Sequence, residues 1–207
     1  MSVTLLGKLE RELQTTFDLI DAFEWENKNK YADYIAQTYF YTSHSVRLIG
    51  SALMHTSVSD SALFNYFANH VKEEQNHEKL ALADLKRLGF SIDDFNERSS
   101  CRLMWQSQYY YPHHAGSHLL LGYIIALELL ALHRAPSIVE RVSGGNVKSS
   151  PNKFMRVHAE EDVHHVKLAC DLIDSLPCEK KEQVIKNFHQ GLYSYRQLLL
   201  SIEADYE

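Results

Sequence analysis

Apolar residues recur along this chain at steps of three and four, the spacing of one helix face, and no stretch alternates as a strand would. The first such run covers Val3 to Phe23, where Leu6, Leu9, Leu13, Phe17 and Ile20 share a stripe. The polar segment Glu24 to Lys30 separates it from a second run, Lys30 to His55, rich in aromatics. Asp60 and Ser61 are candidate N-caps for a third helix, about Ala62 to Leu88, which Gly89 stops. Ser91 caps a fourth that runs to Tyr109–Tyr111 and ends at Pro112. A fifth spans Gly116 to Arg134 and is ended or interrupted by Pro136. Ser150 and Pro151 start a sixth, with Pro at the first helical position, that reaches Leu176. A last run fills Lys180 to Ala204. The pattern predicts an all-α fold: a single domain, Met1 to Glu207, built as a bundle of about seven helices.

Composition narrows the classes. A chain of 207 residues can bury a real core without staples, and few Gly and Pro residues favour helix. The formal charge of −6 is spread out with no basic tract, which argues against nucleic acid or an anionic membrane as partner. The start alternates charge and apolar residues too finely for a signal peptide. The apolar run Leu119 to Leu132 carries Glu128 and is too short to span a bilayer. Cys101, Cys170 and Cys178 form no CxxC pair, which suits a reducing cytoplasm and argues against a disulfide framework or a cysteine zinc site.

Candidate chemistry lies where leucines are expected. With about 100° per residue, Glu74 falls on the apolar stripe of the third helix with Leu63, Phe67, Ala81 and Leu85. His77 and His70 flank that stripe, while Glu73 points aside. Glu74-Gln75-Asn76-His77 is also the Glu-x-x-His spacing by which one helix offers two ligands to one metal. On the sixth helix, His158, Asp162 and His165 lie within about 60° of one another, on the face of Phe154, Ala169 and Leu172. Glu161 sits at the edge of that face. Glu128 is the sole charge in a run that is apolar all round. A carboxylate is costly to bury alone, so three segments sending carboxylates and imidazoles inward point to bound cations. A mixed carboxylate and imidazole set without thiolate favours iron or manganese over zinc or copper, and six ligands suit two ions.

From Leu63 to Leu176 the chain resembles the haem-oxygenase-like diiron oxidases and oxygenases, often called iron-containing redox enzymes. The likeness rests on Glu73-Glu74 followed by His77, on Leu121-Gly122 ahead of Glu128, and on His158-x-x-x-Asp162-x-x-His165. It implies a seven-helix fold shared with haem oxygenase and thiaminase II, usually dimeric, and a diferrous site that reacts with O2. Carried onto this chain, Glu74, His77 and His158 would hold one iron, Asp162 and His165 the other, with Glu128 bridging or belonging to the second. Whether Glu73 or Glu74 ligates is left open, as is His70 between a supporting partner and a core histidine.

Three other readings stand beside this one. A ferritin-like bundle that binds metal without catalysis would need a Glu on the helix before Glu74, yet no acidic residue lies between Tyr34 and Ser59. Haem binding would need a proximal imidazole such as His44. A thiaminase II-like hydrolase would need a cysteine nucleophile, and none of the three cysteines has a persuasive context. The expected reactants are O2 and a small organic molecule: an amine, an amino acid or a fatty-acid-like compound. Tyr39, Tyr41 and Tyr123 are candidate pocket residues, with Arg47 the candidate anchor for a substrate carboxylate.

Overall fold

The computed structural model describes residues 5–206 apart from 145, 146, 148 and 149, without the side chains of residues 160–164. Among the described residues there is no strand. The helices are α1 (Leu5–Glu12), α2 (Gln14–Ala22), α3 (Lys28–Thr42), α4 (Ser45–Met54) and α5 (Ser61–Glu73). They continue as α6 (His77–Arg87), α7 (Ser99–His114), α8 (Leu120–Ser143), α9 (Lys153–Ser175) and α10 (Cys178–Glu203). Short 3-10 turns, Ile92–Asp94 and Ser117–Leu119, precede α7 and α8.

Three of the predicted helices are each broken once, which is why the structure has more elements than the sequence pattern suggests. At Leu13 and at Ser43-His44 the backbone keeps right-handed dihedrals. The third break, between α5 and α6, is sharper. Asn76 sits at φ 71°, the only non-glycine residue with positive φ among those described, a conformation that Asn tolerates better than most side chains. Asp60, not Ser61, caps α5 by accepting from the Leu63 N–H. Gly89, at φ 85°, ends α6 as expected.

Other boundaries differ from the sequence reading. Ser91 caps only the Ile92–Asp94 turn, and α7 begins later, at Ser99. Pro112 and Pro136 lie inside α7 and α8. A proline there loses one helical hydrogen bond, but Ala135, Ile138 and Val139 are buried around the second, so tertiary packing carries α8 to Ser143. Likewise α9 starts at Lys153, two residues after Pro151.

Helix α8 is the axis of the bundle and packs against α9 on one side and α10 on the other. Gly122 makes the second contact possible: a Cβ there would lie 2.1 Å from the Val184 carbonyl oxygen. The buried amides of Gln108 (α7) and Asn187 (α10) hydrogen-bond each other, and Asn187 also donates to the Leu119 carbonyl. The stretch Ser117–Ser143 is long and apolar enough to cross a membrane, contrary to the length argument made for Leu119 to Leu132. Its most apolar window is 67% buried inside the bundle, as befits a core helix.

Candidate metal centre

Four segments bring ionisable side chains to one place in the core. Helix α5 ends with His70, Glu73 and, at its C-cap, Glu74. The left-handed Asn76 then turns the chain so that His77, first residue of α6, places Nδ1 3.8 Å from Glu74 Oε1. Glu74 and His77 therefore do not share a continuous helix, as their spacing suggested, but sit on either side of a turn. From α8 comes Glu128, 7% exposed, and from α9 come His158 and His165.

These side chains form two groups, each with one carboxylate and two imidazoles. In the first, Glu74, His77 and His158 present ligand atoms within 4.8 Å of one another, and the His77 and His158 rings are 4.9 Å apart. In the second, His70, Glu73 and His165 do the same. Glu73 Oε2 lies 3.5 Å from His70 Nδ1 and 3.4 Å from His165 Nε2. Glu128 Oε1 reaches His70 Nε2 at 3.6 Å and His165 Nδ1 at 3.7 Å. His70 Nε2 in turn lies 3.9 Å from Glu74 Oε1, which joins the groups.

The sequence reading brought Glu74, His77, Glu128, His158 and His165 to one centre, and the structure juxtaposes them. Asp162 and Glu161 lie outside the described residues. Two placements differ. His70, left between roles, is inside the second group. Glu73, taken to point aside, is 44% exposed in its side chain, yet its carboxylate faces His165 and His70. The signal for His70 was present: it stands four residues before Glu74 on the same flank, so both meet one surface of α5.

Protonation suits metal binding. Burial pushes the His158 imidazole down to about 4, and the nearby His77, His165 and His70 push it the same way, against the Phe154 carbonyl. Burial likewise lowers His70. Both rings are neutral near pH 7. His158 Nδ1 lies 2.8 Å from the Phe154 carbonyl oxygen, which only accepts, so Nδ1 carries the proton and Nε2 keeps its lone pair. Thiolate is not on offer: burial raises the Cys170 thiol to about 12 and lifts Cys101 well above its usual value. Carboxylate and imidazole without thiolate is a donor set that fits iron.

The centre opens on a cavity of about 90 Å³. His70, Glu74, Glu128 and His158 line one part of it, and apolar side chains such as Leu48, Ile124 and Phe154 line much of the rest. Tyr41 and Tyr123 are on its wall as expected, but Tyr39 is not; it packs against Phe40. Sequence reasoning missed Tyr34 and Tyr195, whose hydroxyls meet at 3.0 Å. An aromatic on a helix stripe reads as core, and nothing local marks these two. The cation on the wall is Arg134, paired with Asp21 at 2.9 Å, whereas Arg47 is exposed and off the cavity. His44, the candidate haem ligand, stacks on Trp105 away from the cavity.

Comparison with known proteins bears on the family and the fold. A family model described as iron-containing redox enzyme matches residues 32–196, beyond both ends of the segment that carried the resemblance. A search of curated proteins finds no match. A Shewanella denitrificans protein with a haem oxygenase-like fold superposes at TM-score 0.85 with 19% identity, covering 99% of this chain and 94% of that one. A CADD-like protein from Nostoc punctiforme gives TM-score 0.75 and 14% identity over 97% and 96% of the two chains. A TenA homologue from Pseudomonas syringae gives TM-score 0.72 and 8% identity over 95% and 91%. The fold is haem oxygenase-like, not a ferritin-like four-helix bundle.

Proposed function

Because this chain belongs to the iron-containing redox enzymes, we propose that it is a non-haem diiron oxidase or oxygenase that uses O2 on a small organic substrate. The observation that carries the reading is the pair of ligand groups, Glu74, His77, His158 and His70, Glu73, His165, which meet where His70 faces Glu74, with Glu128 against the second group and a largely apolar cavity alongside. Each group would hold one ion, with Asp162 as a further expected ligand of the second. Bound there as a ferrous pair, iron would supply electrons for the reduction of O2.

The protein's own part follows from its residues. Glu73, Glu74 and Glu128 offset the charge of two dications in a low-dielectric core. Phe154 holds the His158 ring in the tautomer that leaves Nε2 directed for coordination. The apolar wall excludes water from the reacting centre. Tyr34 and Tyr195 bring paired hydroxyls to the cavity wall, where they can orient a polar group of the substrate. The small, largely apolar cavity suits a small organic molecule, such as an amine, an amino acid or a fatty-acid-like compound. The dimer implied by the resemblance and the cytoplasmic setting implied by cysteine usage belong to the same proposal.

A thiaminase II-like hydrolase is compatible with the fold of the TenA homologue. The residues favour the redox reading, because no cysteine is among those lining the cavity and Cys101 and Cys170 are buried and protonated. Anaerobic reconstitution should load about two Fe(II) per chain, and admitting O2 should consume it with a transient visible absorption band. A tightly held haem, or Fe(II) affinity no better than millimolar, would overturn the proposal.

A further inference from the structure

The amino end of α9, the helix that carries His158 and His165, is held by a carboxylate from another helix. The residue at its N-cap position, Asn152, makes no side-chain capping bond to it. Asp84, on α6 and fully buried, accepts instead from the Phe154 N–H at 2.8 Å. Burying a carboxylate is unfavourable unless donors surround it, and the first turn of a helix supplies both free N–H groups and a favourable dipole.

Two further contacts tie this cap to the metal centre. The residue whose N–H is bound by Asp84 is Phe154, whose carbonyl fixes His158 Nδ1. Asp84 also stands seven residues after His77 on α6, two turns along and on the same side. One helix thus carries a ligand of the first group and the clamp that sets where the helix bearing a second ligand begins. Tyr31 of α3 donates to the Pro151 carbonyl at 2.9 Å, tethering the approach to the same turn.

We propose that Asp84 is a positioning residue of the metal centre: by fixing the first turn of α9 on α6, it sets the His158 ring against His77 and so the affinity for metal. The inference rests on the metal-centre reading, and Mn(II), followed anaerobically by its electron paramagnetic resonance, is the probe. Asp84→Ala should weaken Mn(II) binding by about tenfold or more, the range in which partners behind metal ligands act. Asp84→Asn keeps an acceptor for the Phe154 N–H and should recover most of that loss, a rescue that a general loss of stability would not give. Wild-type affinity in a folded Asp84→Ala protein, or Asp84→Asn as weak as Asp84→Ala, would overturn the proposal. A wild-type protein that binds no Mn(II) or Fe(II) would instead overturn the metal-centre reading.

Hydrogen exchange of the metal-free wild-type protein gives a second test that does not depend on a variant folding. Amides of Phe154 and Met155 should already be protected without metal, while those between His158 and His165 gain protection when Mn(II) is added. Rapid exchange at Phe154 in the metal-free state would overturn the clamp.

Discussion

The two ligand groups are built from the same donors but enclosed differently. Glu74, His77 and His158 are all partly shielded, with the Glu74 and His77 side chains 14% and 13% exposed. One of their imidazoles is fixed by a main-chain carbonyl whose own residue is clamped by Asp84. In the other group, His70 and His165 are buried but Glu73 leaves 44% of its side chain to solvent. A fixed donor loses little freedom when it binds a metal, and a half-exposed carboxylate must be ordered and partly desolvated to do so. The enclosed group should therefore be the tighter, and the open one the route by which metal is gained and lost.

The largest effect should come from Glu128, the most deeply buried of the three carboxylates. Glu128→Ala removes the carboxylate that faces both His70 and His165 inside the core, and should weaken Fe(II) binding by more than about a hundredfold, beyond what outer partners carry. An anaerobic titration would show this, and unchanged stoichiometry and affinity would remove Glu128 from the ligands of the second group. A smaller contrast sharpens the comparison itself. Glu74→Ala should cost far more affinity than Glu73→Ala, for which about tenfold or less is expected because water can replace an exposed ligand. If the order were reversed, the open group would be the primary site.

The smallest effect concerns pH and the metal-free protein. His158 is held at about 4 in the folded state against 6.5 unfolded, so between those values the unfolded chain binds more protons. Stability from keeping this ring neutral is present above pH 6.5 and is lost as pH falls toward about 4, a loss on the order of 3 kcal/mol. Denaturant melts of metal-free protein across that window should fall accordingly. His158→Gln, which cannot charge, should flatten the decline, and an equal slope in both proteins would assign the pH dependence elsewhere.

Helical periodicity by itself determined a good deal here. It predicted an all-α chain, put Glu74, Glu128, His158 and His165 on buried faces, and identified carboxylate and imidazole as the chemistry to explain. That works because side-chain direction along a continuous helix follows from residue number alone. The same rule fails where the axis breaks. Asn76 takes φ 71° between α5 and α6, so angles counted from Leu63 no longer hold at His77, and the Glu-x-x-His spacing spans a turn.

Contacts between helices were illegible for a different reason. Asp84 stands between Ala81 and Leu85, two turns after His77, an acid on an inward face that local spacing could flag but not explain. Only packing showed that it meets the start of α9, seventy residues on. Packing likewise joined Glu73 to His165, brought Tyr34 against Tyr195, and put Arg134 rather than Arg47 on the cavity wall. Periodicity gives the direction a side chain leaves its own helix. What it meets depends on how closely two axes approach, and here that distance is set by residues such as Gly122, where α8 and α10 leave no room for a Cβ.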